Sequence, residues 1–234
     1  MTLWPEFRDS PVSKLLRASS LVEFAIARNE HLFFSHLAVT DTNPYSGMMA
    51  IHLRRGDYVR ACQNYATWSS TFYGWNQLPH LPDAFTPPPT PEGTWGTNTP
   101  ENYAIYYQRC FPTHAQIFAK IRDVKLDWET HPVSQGHKLR SLYIMTNADA
   151  KWLDELKALL LAEGWLTVLS STDLVLNSEE TSVAMTIDTE IGRKAAVFIG
   201  NGVSVSSVLS MPYSDLVCNI VVFNDQRCCP PSPR

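Results

Sequence analysis

His52, Arg54 and Arg55 follow one another closely in Ala50-Ile51-His52-Leu53-Arg54-Arg55-Gly56-Asp57, directly after the apolar run Gly47–Ile51. A guanidinium presents five N–H donors in a planar fork and stays charged at any working pH. Two of them at the end of a strand suit a phosphate or pyrophosphate. Strand alternation puts His52 and Arg54 on one face and Arg55 on the other. On that reading Arg54 faces a site and Arg55 supports it. The same two arginines can equally pair with Asp57 and Asp149 as a structural network.

A second cluster, Gly200-Asn201-Gly202 followed by Ser204, Ser206 and Ser207, reads as a phosphate-cradling turn. Glycines permit close backbone approach, and hydroxyls and N–H groups at a helix start donate to phosphate oxygens. A plain glycine turn ahead of a serine-capped helix fits the same residues. The Walker pattern GxxxxGK[ST] is absent. Asp188 stands in a helical, largely apolar context with Val183, Met185, Ile187 and Ile191. An acid there can accept from the N–H groups of a base such as guanine, or lie on a solvated helix face. Thr146, Asn147 and Asp149 read most simply as the cap and first turn of a helix. No pair of carboxylates has glycosidase spacing, and nothing in the pattern requires a metal.

These clusters need elements to hold them. Apolar periodicity predicts a helix over 11–36, starting near Ser10-Pro11, and Asn43-Pro44 marks a loop. Strands are expected over Gly47–Leu53, Leu142–Met145, Leu166–Leu169 and Ala196–Ile199, with a last apolar run over Val217–Phe223. Helices are expected over Glu101–Val124, interrupted at Pro112, over Asp149–Glu163 and over Glu179–Ala195. In the middle one, Trp152, Leu153, Leu156, Leu159 and Leu160 form one apolar face and Gly164 ends the helix. The segment Tyr58–Pro100, dense in Trp and Pro, reads as a binding loop or lid, or as a poorly ordered insertion. Strands alternating with helices mean βαβ units and a Rossmann-like parallel sheet with flanking helices, an α/β class. In such sheets ligands sit at the carboxyl ends of the strands, where the three polar clusters fall. The expected organisation is a helical segment over 1–40, a Rossmann-like domain over 41–224 carrying the insertion at 58–100, and a tail over 225–234.

Composition narrows the function. With 234 residues, 19 Lys plus Arg against 23 Asp plus Glu, and a net charge of −4, bulk attraction to nucleic acid is excluded. Hydrophobic residues at 44% and charged residues at 18% give a globular balance. No continuous apolar window is long enough to span a membrane. The first residues, with Trp4, Pro5, Glu6, Arg8 and Asp9, lack the basic-then-apolar order of a secretory signal. The five cysteines are Cys62, Cys110, Cys218, Cys228 and Cys229, without a CxxC pair or zinc spacing. Cys62 and Cys110 flank the irregular insertion, either bridged or as two partly buried thiols.

The motifs together carry a resemblance. Ala50–Asp57 looks like the HxRR-type first motif of the GDP-fucose-using fucosyltransferases. Phe198-Ile199-Gly200-Asn201-Gly202-Val203-Ser204 resembles their later phosphate motif, and Tyr143-Ile144-Met145-Thr146-Asn147 the strand between them. Ile187-Asp188 is similar to the acid that contacts guanine. With the Trp-rich insertion and Cys62, the arrangement over about 45–205 is most similar to fungal members of the GDP-fucose protein O-fucosyltransferase-like family.

The resemblance implies the C-terminal, nucleotide-binding half of a GT-B glycosyltransferase. It implies inverting, metal-independent transfer of fucose from GDP-fucose to a protein or glycan hydroxyl, with the GDP-sugar as donor substrate and no cofactor. Arg54 and His52 would be the catalytic residues, Arg54 on the β-phosphate and His52 on phosphate or ribose. Arg55 would also bind the GDP-fucose, Asp188 would read guanine, and Asn201, Ser204, Ser206 and Ser207 would hold phosphates. Asp57 is a candidate base. The family implies the endoplasmic reticulum or Golgi lumen, although no signal or anchor is expected in this chain. Departures from the family pattern are Val205 inside the serine run, Met211-Pro212, the ending Cys228-Cys229-Pro230-Pro231, and an expected lack of the N-terminal half. Two other classes fit the same residues: a truncated, non-catalytic GDP-sugar-binding module, and an α/β interaction domain whose arginines only stabilise the fold.

Overall fold

Five parallel strands form one sheet in the computed structural model of the chain, which describes residues 10–11, 17–34, 43–72, 85–90, 93, 95–200 and 220–222. They are β1 (Met48–Leu53), β2 (Ser141–Thr146), β3 (Thr167–Ser170), β4 (Val197–Gly200) and β5 (Ile220–Val222), in the spatial order β3-β2-β1-β4-β5. The register sets Ile51 beside both Ile144 and Ile199, and His52 beside Met145. All six residues of β1 are buried. A parallel sheet is covered on both faces, so its strands are apolar runs rather than alternating ones.

The helices are α1 (Ser20–Phe34), α2 (Val59–Thr67), α3 (Pro100–Cys110), α4 (His114–Thr130), α5 (Ala150–Ala162), α6 (Ser178–Thr181) and α7 (Ala184–Lys194). On one face Met49, Ile51, Leu53 and Ile144 pack against Ile117 and Ile121 of α4 and Leu153, Leu156 and Leu160 of α5. On the other, Met48, Ala50, Tyr143 and Phe198 pack against Val22 and Ile26 of α1 and Ile187 and Ile191 of α7. The sheet is doubly wound, and strand order reverses between β1 and β4, the position where such sheets bind ligands.

The insertion is anchored rather than loose at its ends. Cys62 of α2 and Cys110 of α3 form a disulfide with Cα atoms 5.8 Å apart. It lies in a third apolar cluster with Ala66, Phe72, Phe85 and Tyr106. Phe72 and Phe85 rings are 4.8 Å apart, and Trp68 meets Trp95 edge-on at 4.9 Å.

The elements differ from the sequence expectation at several points. The helix expected over 11–36 is interrupted: Pro11 is helical, Arg17–Ser19 is not, and α1 begins at Ser20, where the Ser19 side chain and carbonyl accept from Val22 and Glu23 N–H groups and cap the helix. Val12, Leu15 and Leu16 lie outside the described residues. Helix α2 occupies a stretch read as irregular: Val59, Cys62 and Ala66 keep helical spacing there, but the run is short and leads into a segment dense in Pro and Trp. The helix expected over Glu179–Ala195 is two helices, broken at Ser182-Val183. Leu159, placed on the core face of α5, is 47% exposed; the buried stripe is Leu153, Leu156 and Leu160. The break at Pro112 falls as expected between α3 and α4, but α4 runs on to Thr130. Asp149 caps α5 by accepting from Trp152 N–H, and Gly164 ends the turn beyond it with φ +99°. The tail over 225–234 lies outside the described residues.

Candidate functional site

The carboxyl end of β1 carries the cluster that the sequence singles out. His52 is the next-to-last residue of the strand and is buried. Burial pulls its imidazole down to about 4, and the neighbouring Arg54 charge pulls the same way. It is therefore neutral at pH 7 and offers one donor and one acceptor.

Beyond the strand, Arg54 and Arg55 diverge. The Arg54 side chain is 42% exposed and pairs with Asp57, Nη2 donating to Oδ2 at 2.7 Å and Nε to Oδ1 at 3.4 Å. Its guanidinium also lies 5.8 Å from the Tyr58 ring centre. The pairing raises the Arg54 pKa and, with a hydrogen bond from Asn147, holds the Asp57 carboxyl down at about 2. A carboxylate that acidic is a poor general base near neutrality, so the candidacy of Asp57 for that role falls.

Arg55 is inserted between two rings. Its guanidinium carbon lies 3.9 Å from the Phe111 ring centre and 4.1 Å from that of Trp152, and Nη1 donates to the Pro112 carbonyl at 2.6 Å. Burial pulls its pKa down to about 10, with the Asp149 charge acting against that. This arginine ties β1 to the α3–α4 junction and to α5, the supporting role that strand alternation suggested. His114 completes the stack at 4.5 Å from Trp152. Of the structural network weighed from sequence, the Arg54–Asp57 pair is present.

The end of β2 grips the same loop. Thr146 Oγ1 donates to the Leu53 carbonyl at 2.6 Å. Asn147 Oδ1 accepts from the Arg55 N–H at 2.8 Å, and its Nδ2 donates to Asp57 Oδ1 at 2.7 Å. A Cβ on Gly56 would stand 2.7 Å from the Asn147 carbonyl oxygen, so the two turns are in backbone contact. The sequence reading placed Asn147 in a helix cap and in one of the three polar clusters at strand ends, but gave it no partner in the arginine turn. Its place directly after a strand, beside the arginine turn, was the available signal.

Asp188 is on α7, on the sheet face that carries Tyr143. Its Oδ1 accepts from Tyr143 Oη at 2.5 Å and its Oδ2 from Ser171 Oγ at 2.6 Å. Burial raises its pKa while the two hydrogen bonds pull it back. It is not the solvated surface acid that was the other reading. Each carboxylate oxygen has further lone-pair capacity, so an additional N–H donor can be accepted.

Strand β4 pairs with β1 as far as Ile199 opposite Ile51 and ends at Gly200, level with His52. Asn201, Ser204, Ser206 and Ser207 lie outside the described residues. Among the described residues, no three His, Cys, Asp or Glu side chains converge as a metal site, and no helix is long and apolar enough to cross a membrane. The described site thus presents a neutral imidazole and an exposed, braced cation at the switch point of a doubly wound sheet, chemistry suited to an anionic ligand.

No protein-family model matches the chain, and no curated protein matches it. Solved structures do. A crystal structure of POFUT1 in complex with GDP matches with TM-score 0.50 and 21% identity, over 85% of this chain and 45% of that one. A second, of POFUT1 in complex with GDP-fucose, matches with TM-score 0.46 and 21% identity, over 85% of this chain and 43% of that one. The chain therefore spans less than half the length of the POFUT1 chains it matches, and at this identity the likeness is one of fold: an α/β Rossmann-like sheet with flanking helices, shared with part of POFUT1, a GT-B glycosyltransferase.

Proposed function

We propose that this chain is the C-terminal, nucleotide-binding half of a GT-B fucosyltransferase. The observation that carries the reading is Arg54, an exposed guanidinium held by Asp57 at the carboxyl end of β1 where strand order reverses. It is supported by the fold shared with a POFUT1 structure that holds GDP, and by the order of the motifs along the chain.

In this reading Arg54 binds the β-phosphate of GDP-fucose and stabilises the charge that develops as the sugar leaves. His52, neutral at pH 7, orients phosphate or ribose. Arg55 holds the turn from behind. Asp188 accepts from guanine, and Asn201, Ser204, Ser206 and Ser207 hold phosphates. Fucose passes with inversion, without a metal, to a protein or glycan hydroxyl. A second reading, a GDP-sugar-binding module without turnover of its own, keeps the same nucleotide contacts. A third, an α/β interaction domain, draws on the fact that Arg54 and Arg55 already have protein partners.

Calorimetric titration of the purified chain with GDP, and with ADP as control, tests the reading. GDP binds in preference to ADP, and Arg54→Ala weakens it by about 1.5–3 kcal/mol, the scale of hydrogen bonds to a charged group. Failure of the folded chain to bind GDP overturns the nucleotide reading. Turnover of GDP-fucose then separates the enzyme from the binding module.

A further inference from the structure

We infer that Asn147 is the positioning residue for Arg54, acting through Asp57, an inference that rests on the nucleotide reading of Arg54. The chain of contacts is continuous. Asn147 Oδ1 takes the Arg55 N–H at 2.8 Å, which sets the backbone of the turn. Its Nδ2 donates to Asp57 Oδ1 at 2.7 Å, which sets the carboxylate. That carboxylate meets Arg54 through both oxygens, at 2.7 and 3.4 Å, which sets the plane of the guanidinium.

The pair needs a third member for a physical reason. Arg54 and Asp57 are 42% and 60% exposed in their side chains. An exposed ion pair of two flexible side chains is weak and does not hold one geometry unaided. Asn147 is exposed too, but its backbone is held at the end of β2, since Thr146 is locked to Leu53 at 2.6 Å and the Gly56 turn lies against the Asn147 carbonyl, and its short side chain bonds at both ends. The amide therefore transmits the rigidity of the sheet to a solvent-facing arginine. A guanidinium already oriented loses less freedom when an anion arrives. Amide chemistry is required at position 147: it must accept from one neighbour and donate to the other. Aspartate keeps the first contact but sets a carboxylate against Asp57.

The test reads Arg54 directly. In the folded, ligand-free chain, the Arg54 Nε–H resonance is followed by NMR for order and solvent exchange in wild type, Asn147→Asp, Asn147→Ala and Asp57→Asn. Arg54 Nε–H is ordered in wild type and exchanges faster in all three variants, while core amides are unchanged. GDP affinity falls about tenfold in Asn147→Ala, the scale of one hydrogen bond to a charged group. In an Asp57→Ala background the same substitution costs clearly less than in wild type, because only the contact with the Arg55 N–H is left to lose. Unchanged Arg54 order in the variants, or a full additive loss of affinity, overturns the inference. If wild type does not bind GDP, the nucleotide reading fails by itself, and the Arg54 resonance still decides the role of Asn147.

Discussion

Tyr143, in the middle of β2, donates its hydroxyl to Asp188 of α7 at 2.5 Å. The bond crosses from sheet to helix on the face that carries His52, and Ser171 at the end of β3 meets the other carboxylate oxygen. Burial, and then the Asp188 charge, push the tyrosine pKa well above its ordinary value, so the phenol remains a donor at any working pH. Tyr143→Phe removes one donor from a largely desolvated carboxylate. It is expected to destabilise the chain by about 1–3 kcal/mol in urea unfolding. If Asp188 reads guanine, the same variant also reduces the preference for GDP over ADP, measured by titration.

The buried imidazole predicts a pH dependence. His52 takes its proton near 4 in the folded chain against 6.5 as the ordinary value. Between those values the unfolded chain binds the proton and the folded chain does not. The stability contribution of this depressed group is therefore fully present above pH 6.5 and is lost as pH falls toward 4. The loss is about 3 kcal/mol. Asp188, raised by burial, acts in the opposite sense as pH rises above the ordinary carboxylate range. Subtracting the urea-unfolding profile of His52→Asn from that of wild type isolates the histidine, and the difference should slope across this window and be flat above it.

Arg55 and Arg54 should separate by phenotype. Arg55 is stacked between Phe111 and Trp152 and bonded to the Pro112 carbonyl. Arg55→Ala leaves that carbonyl without its partner and opens a gap between the rings, at a cost of about 2–3 kcal/mol in stability. Arg55→Lys recovers only part, because an ammonium has no plane to stack. Arg54→Ala should barely move the melting temperature and should cost GDP affinity instead. Thermal unfolding and titration of the three variants give the comparison.

The Cys62–Cys110 disulfide closes a loop with a sequence separation of 48. By chain entropy alone, a loop of that length stabilises by about 4 kcal/mol. The double variant Cys62→Ser/Cys110→Ser should unfold at lower temperature by a corresponding margin in calorimetry. Reductant should shift wild type in the same direction and leave the double variant unchanged.

How much of this was legible in the chain follows from the range of each interaction. The strands β1, β2 and β4 could be read because burial on both faces demands continuous apolar runs, and Met48–Leu53 and Val197–Gly200 are such runs. The class, the polar cluster after β1 and the break at Pro112 were legible for the same reason: they depend on neighbours in the chain. Helix α2 was not read, although Val59, Cys62 and Ala66 keep helical spacing, because it is short and opens a segment whose density of Pro and Trp obscures the pattern; its partners Phe72, Tyr106 and Cys110 come from outside it. The division between Arg54 and Arg55 was legible from strand alternation, and the Arg54–Asp57 pair is local, three residues apart. That Arg55 lies between two rings from distant segments, and that Asp188 is partly buried against Tyr143, follow from where the sheet brings those segments together. The sequence by itself determined which residues stand at the strand ends. Only the tertiary structure decided which of them meet, through contacts such as Asn147 with Asp57, 90 residues apart, because hydrogen-bond geometry and desolvation depend on distances in space that local pattern does not encode.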